Sequence, residues 1–186
     1  MADAKAPVAP ARGPGGVGTG VAIDWGLTVQ FLTMAALQVL HSAAHLALPP
    51  GALVVAPSGA FALVGTLLAY LVVAALFFAL GERLRRGDYV AWMLQLGFAA
   101  LLLLVGVATL VRVVGDIQHG QRPAIASAVV LLVVNPVAVW LLAQPRTRTW
   151  FRAISPQAAS ARHGGRWLAE IAACALVGGV AVALGL

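Results

Sequence analysis

Charge is scarce in this sequence. Asp, Glu, Lys and Arg together make up 10% of the 186 residues, whereas hydrophobic residues make up 61% and the mean hydropathy is +0.95. A soluble domain has about 25% charged residues and roughly 45–50% apolar ones. The composition therefore excludes an ordinary water-soluble fold and predicts a chain that lies mostly within a lipid bilayer.

Cysteine and catalytic motifs are equally scarce. The single cysteine, Cys174, excludes an internal disulfide, a CxxC redox pair and a thiolate metal cluster. There is no G-x-S-x-G, H-E-x-x-H, phosphate-binding loop or paired-carboxylate motif, so we predict no catalytic residue and do not expect an enzyme. No charged residue falls at the middle of a predicted span, which argues against a proton- or cation-coupled carrier.

Long apolar runs fill most of the sequence. Each is long enough to cross a hydrocarbon core of roughly 30 Å, and only a helix satisfies its own backbone in lipid. We therefore predict an all-α, polytopic transmembrane helix bundle over residues 24–186, with five spans or, if the last run does not cross, four. The predicted spans are 25–48, 59–80, 90–114, 123–143 and 167–186. Residues 1–23, rich in Ala, Gly and Pro, are predicted to form a disordered cytoplasmic tail.

The basic residues predict the orientation and the membrane. With the N-terminus inside, ten Lys and Arg residues lie in cytoplasmic stretches, against only Arg112 and Arg122 outside. Such a bias predicts that the N-terminus lies inside. The use of eleven arginines against the single Lys5, with mainly Ala, Leu and Val as apolar residues, is typical of high-GC bacterial genomes and predicts a bacterial cell membrane. The arginines lie in short loops at the ends of apolar runs, so we expect them to bind anionic lipid at the inner face and not nucleic acid.

Polar side chains gather on the first predicted span. They form a polar stripe within an arc of roughly 140° on the helix, made up of Gln30, Thr33, Gln38, His41 and His45. An i, i+4 histidine pair can bind a metal, and a single membrane histidine can ligate haem, but a closed site needs further ligands. His119 lies on the same side as His45, so these three histidines are the candidate metal ligands. The competing interpretation, in which these side chains hydrogen-bond across helices or reach interfacial water, is favoured, and no cofactor is predicted. It predicts that Gln38 and His41 face other helices or a hydrated cleft and not lipid.

Charged residues near the span ends have structural interpretations. Arg112 and Asp116 are four residues apart at the outer end of the third span, which predicts an interfacial pair with a snorkelling arginine. The functional alternative is a gate or an anion contact. Glu170 is predicted to lie in the first turn of the last span, four residues after Arg166, where it suits a helix N-terminus better than a proton relay.

Two further patterns concern helix packing. Asn135-Pro136 in the fourth span frees the carbonyl of Leu132 and predicts a kink, a feature that recurs in transporters but also in membrane helices generally. Small residues spaced four apart predict close helix packing. They are Gly65 with Ala69 and Ala175 with Gly179.

Two motifs carry a resemblance. RLRRGDYVAWMLQLG is an arginine- and glycine-containing turn before an aromatic-led span, and LLAQPRTRTWFR ends a span in a proline and a basic-aromatic stretch. Between about residues 60 and 152 the chain thus resembles small, mostly uncharacterised integral membrane proteins of actinobacteria. The resemblance implies a membrane topology and no catalytic residue, and this chain departs from the usual four spans by its fifth apolar run.

Three functions follow from these patterns. The first is a non-enzymatic accessory or interaction protein of the cell membrane, acting through lipid, a membrane-protein partner or a second copy of itself. The second is a small oligomeric transporter or channel that uses the kinked fourth span and the polar first span. The third is a haem- or metal-binding redox subunit that uses His41 and His45.

Overall fold

The computed structural model describes residues 14–44, 59–120 and 125–186, and within these it is helical without strands. Five helices are long and apolar enough to cross a membrane, which confirms the predicted all-α transmembrane bundle. The helices are α1 (Gly15–Ala44), α2 (Ala60–Arg85), α3 (Tyr89–Gln118), α4 (Ile125–Val129), α5 (Asn135–Ala143), α6 (Pro145–Ala153), α7 (Pro156–Arg162) and α8 (Gly165–Ala183). The fourth span, Ile125–Ala143, comprises α4, a π-helical stretch at Val130–Val134 and α5.

The first helix begins ten residues earlier than predicted. Residues 15–23 were expected to belong to a disordered tail, and that part of the prediction is wrong because α1 starts at Gly15. Its glycines let other chain segments approach the helix axis: a Cβ on Gly16 would come within 2.9 Å of the Leu141 carbonyl carbon, and one on Gly20 within 2.7 Å of Leu84. Tertiary packing thus outweighs the low helix propensity of glycine. Residues 1–13 lie outside the described part.

Helix α1 is the centre of the bundle and packs mainly against α2 and α8. The contact with α8 is backbone to backbone at Gly179, where a Cβ would overlap the Gly26 carbonyl oxygen and lie 2.8 Å from Val29 Cβ. This confirms the packing predicted for Ala175 and Gly179. The equivalent prediction for Gly65 is wrong within this chain, since its Cβ position meets no described atom within 4 Å.

The end of the bundle that carries the α2–α3 turn, α6 and α7 is here named the basic end. It holds eight of the eleven arginines, and its core is rich in aromatic residues. The buried members include Val17, Leu84, Trp92, Leu142, Trp150 and Phe151. Trp92 and Trp150 are 6% and 1% exposed, so they belong to the protein core.

The opposite end, here named the far end, is more loosely packed. Its buried apolar cluster consists of Met34, Ala35, Tyr70 and Ala183. The flanking stretches of α2 and α3 leave large side chains uncovered, among them Phe61 at 96% and Val111 at 70% exposure. Such surfaces suit contact with lipid chains, which are as apolar as the side chains themselves.

Candidate functional site

Helix α6 closes the basic end with one polar and one buried face. Thr147, Trp150 and Phe151 are buried, whereas the arginines at 146, 148 and 152 are exposed. The Thr147 hydroxyl donates to the Leu141 carbonyl at 2.9 Å, and the Trp92 indole N–H donates to the Leu142 carbonyl at 3.1 Å. These bonds satisfy carbonyls at the end of α5, which would otherwise lack partners. Helix α6, which carries these arginines, is therefore fixed against the rest of the bundle.

A shallow apolar groove lies beside α6. It has a volume of about 570 Å³ and lies between the first half of α3 and the α5–α6 corner. Its lining includes Met93, Leu96, Gly97, Ala100 and, at the mouth, Tyr89 and Arg148. The Arg152 guanidinium lies 5.3 Å from the centre of the Tyr89 ring and donates to the Tyr89 hydroxyl at 3.3 Å. The groove thus combines apolar walls with cations at one end.

His163 joins the α7–α8 connection to the end of α2. Its Nδ1–H donates to the Arg85 carbonyl at 2.9 Å, and Arg85 in turn donates to the His163 carbonyl at 3.1 Å. The ring also packs between Trp150 and Trp167, at centroid distances of 5.6 and 4.5 Å. Loss of hydration in this setting lowers the pKa of His163, although its bond to the Arg85 carbonyl acts in the opposite direction. The neutral ring is therefore favoured.

A buried carboxyl lies in the third turn of α1. Asp24 is fully buried, nine residues after the helix begins, which is roughly 14 Å along its axis. Gln95 of α3, also fully buried, is the side chain that interacts with it. None of the four side-chain polar atoms of Asp24 and Gln95 forms a hydrogen bond with a described residue. Asp24 therefore lies inside the first helix, whereas the sequence analysis placed it before the first span.

The polar stripe of α1 is only partly described. Gln38 is fully buried, as predicted, and its amide has no hydrogen-bond partner among the described residues. His41 is partly buried, and His45 lies outside the described residues. His119 is exposed, with its Nδ1 2.7 Å from the Gly115 carbonyl. The described residues contain no group of three metal-binding side chains, and a site that includes His45 stays a prediction.

Two of the charged residues singled out from the sequence behave differently from expectation. Arg112 is exposed, and the described residues show no ion pair between it and Asp116. Glu170 does pair with Arg166, at 2.7 Å. However, α8 begins at Gly165, so Glu170 lies in the second turn and does not cap the helix. The earlier start brings Arg166 into the helix, where i, i+4 geometry favours the pair.

The interruption predicted at Asn135-Pro136 takes the form of a π-helical turn. The Asn135 N–H bonds to the Val130 carbonyl, five residues back, immediately before Pro136, whose nitrogen has no hydrogen to donate. Asn135 is buried, and its amide donates to the Ala99 carbonyl of α3 at 2.9 Å. Its role is thus to join the fourth span to α3.

The sequence analysis missed Asp24, Gln95 and His163. A signal for the first was present: Asp24 is followed immediately by Trp25 and an apolar run, and it is one of only six acidic residues. The glycines before it concealed the start of the helix. Gln95 and His163 carry no motif, because their burial depends on contacts with other helices.

No protein-family model, curated protein or solved structure matches this chain. The resemblance to small actinobacterial membrane proteins accordingly stays a prediction.

Proposed function

We propose that this chain is a non-enzymatic accessory or interaction protein of the bacterial cell membrane that acts through its basic end, where it binds an anionic phospholipid. The observation that carries the proposal is the apolar groove with Arg148 at its mouth and Arg152 beside Tyr89. An acyl chain would lie against Met93, Leu96 and Ala100, and its phosphate would contact Arg148. The basic end is then the cytoplasmic end, in agreement with the charge bias of the sequence.

Charge complementarity favours phospholipid as the occupant. Arg146 and Arg148 are exposed on α6, and each arginine near an anionic membrane surface contributes roughly 1 kcal/mol of attraction. The groove is apolar over most of its length, which does not suit a free phosphate or an acidic peptide. Because Trp150 and Phe151 anchor the opposite face of α6, the arginines are held beside the groove before lipid arrives, and binding requires little further ordering.

Lipid retention tests the proposal. The purified protein would be exchanged into nanodiscs of phosphatidylcholine with a minor share of phosphatidylglycerol, and the lipids nearest the protein would be identified by mass spectrometry. We expect enrichment of phosphatidylglycerol, and we expect Arg146→Gln with Arg148→Gln to reduce it by about thirtyfold at low salt, from two arginines at about 1 kcal/mol each. Equal retention of both lipids by the wild type would contradict the proposal.

A glycine substitution tests the contribution of the groove to lipid binding separately from that of the arginine charge. A Cβ on Gly97 meets no described atom within 4 Å, so Gly97→Leu should fill the groove without disturbing the fold. We expect it to lower lipid retention while the arginines remain. Gly115→Leu, at an equally open position near the far end of α3, is the matched control and should retain lipid like the wild type.

A small carrier is the second candidate function, favoured by the buried carboxyl of Asp24. Carriers coupled to protons or cations need such a group inside the membrane. Proteoliposomes containing a pH-sensitive dye would report proton or cation exchange. A flux that Asp24→Asn abolishes, with lipid retention unchanged, would support the carrier, and the absence of flux in the wild type would exclude it.

A further inference from the structure

The side chains of Asp24 and Gln95 lie side by side inside the bundle, and no described charged residue pairs with either of them. Gly20, one turn before Asp24, lies against Leu84, Gln95 and Leu142, and Gly81 of α2 lies against Asp24 and Trp25. Helices α1, α2, α3 and α5 therefore enclose this pair, here named the acid–amide pair. Both residues are fully buried.

An ionised carboxylate is poorly accommodated here. No described charged residue forms an ion pair with Asp24, and Gln95 is the polar side chain beside it. The nearest charged residues of α2 are paired with each other, Glu82 with Arg85 and Arg86, and those of α8 pair through Arg166 and Glu170. The described residues of α5 include no titratable side chain, and their buried polar residue, Asn135, donates to Ala99. An isolated buried charge is costly, so a bound proton or cation must neutralise it.

The chemistry of the amide favours the proton. A protonated carboxyl and a primary amide are complementary, because each offers one donor and one acceptor to the other. The acid O–H can donate to Gln95 Oε1 while Gln95 Nε2 donates to the second carboxyl oxygen. One proton therefore gives a partner to all four polar atoms that lack one. An ionised carboxylate could accept from Nε2 but would leave Oε1 without a donor.

We propose that Asp24 and Gln95 form a proton-binding site inside the membrane, in which Asp24 is protonated at neutral pH and hydrogen-bonded to the Gln95 amide. Binding is the reversible addition of one proton from water to the carboxylate, with no other reactant. The site lies on the interior side of the contact between Gly20, Leu84 and Leu142, so the proton is separated from the basic end by apolar side chains. The inference is independent of lipid binding, because a proton can be bound whether or not the groove holds lipid.

Infrared spectroscopy of the full-length protein in nanodiscs of ether-linked phosphatidylcholine, which has no ester carbonyl to overlap the carboxyl band, tests the proposal. The chain has only six acidic residues, so the carbonyl band of one protonated carboxyl is resolvable. At neutral pH we expect one such band, which shifts on exchange into heavy water and disappears in Asp24→Asn. Asp116→Asn, in which a partly exposed acid is replaced, is the matched control and should keep the band. Absence of any protonated-carboxyl band in the wild type would overturn the proposal.

Two further measurements distinguish the proton from other occupants. Gln95→Leu removes the amide, so the Asp24 band should move towards the frequency of a carboxyl without a hydrogen bond. An unchanged frequency would contradict the pairing. Replacing choline chloride with sodium chloride should leave the wild-type band unchanged, and its loss would show that the site binds a metal cation. Both measurements use variants or conditions other than Asp24→Asn, so the test stands even if that variant does not fold.

Discussion

The basic end and the far end of this bundle are built from the same apolar residue types but are packed differently. At the basic end, aromatic rings are stacked in a continuous core, with Trp92 and Phe151 at a centroid distance of 5.9 Å and Trp150 edge-on to Phe151 at 4.9 Å. At the far end, Phe61 and Val111 are largely exposed. The difference arises because the two ends have different surroundings. The basic end carries charged turns and needs folded segments to cover its core, whereas lipid can solvate the far ends of α2 and α3.

This contrast also separates two kinds of polar residue. At the basic end, polar groups satisfy helix ends, as Thr147 does for the Leu141 carbonyl. Deeper in the bundle, Asp24, Gln95 and Gln38 are buried without partners among the described residues. Buried groups of this kind are rare in folded proteins and call for a bound species. On the proposals above, the surface of the basic end binds lipid and the interior of the bundle next to it binds a proton.

The largest expected effect concerns which end faces the cytoplasm. A reporter active only in the cytoplasm should work when fused at Gly87 or Gln157 and fail at Ser58 or after Leu186, because the basic residues concentrate at one end. Cytoplasmic activity after Leu186 would instead mean that the last apolar run does not cross and that the chain has four spans.

The packing contrast predicts unequal losses of stability. Trp150→Ala should lower the free energy of unfolding by about 3–5 kcal/mol, because it removes a large side chain that is 1% exposed. Phe61→Ala at the far end should have little effect, since that ring is 96% exposed. Denaturation in mixed micelles, followed by circular dichroism, measures both. Similar losses for the two variants would mean that the ends do not differ in packing.

Two adjacent glycines in α8 test whether backbone contact holds α1 to α8. Gly179→Ala should cost about 1–3 kcal/mol of stability, since its Cβ would overlap backbone atoms of α1 that cannot move aside. Gly178→Ala carries the same change in helix propensity but meets no described atom within 4 Å, so it should be neutral or slightly stabilising. The same unfolding assay compares them, and equal behaviour would contradict the close contact.

The smallest expected effect is a pH dependence at the basic end. Burial lowers the pKa of His163 below its ordinary value of 6.5, so the folded protein favours the neutral ring. The stability that this provides is fully present above pH 6.5 and is lost as the pH falls through the lowered pKa. The melting temperature should therefore fall on acidification below about pH 6, by less in His163→Gln than in the wild type. A glutamine amide can donate to the Arg85 carbonyl but does not titrate in this range. Identical pH profiles of the melting temperature for the wild type and His163→Gln would show that His163 does not cause the pH dependence.

The sequence predicted the helices whose ends are marked by charge or proline. The α2–α3 turn was found because GERLRRGDY interrupts two apolar runs. A kink was expected at Asn135-Pro136 because Pro136 removes a donor, and α5 begins at this position after the π-helical stretch. Gln38 was correctly predicted to be buried, since a polar group facing lipid is penalised wherever the neighbouring helices lie. The start of α1 was wrong, because glycine-rich segments have low helix propensity until another surface packs against them.

Hydropathy and charge are properties of each segment alone, so the sequence by itself determined the all-α class, the number of apolar spans and the concentration of arginines at the ends of runs. Tertiary structure decided what depends on pairs of helices. The Gly16 and Gly20 contacts extend α1 so that Asp24 lies inside the bundle, and α3 brings Gln95 to it. Whether a given acid is a surface residue or a buried one is a property of its neighbours, and neighbours distant in sequence are specified only by the fold.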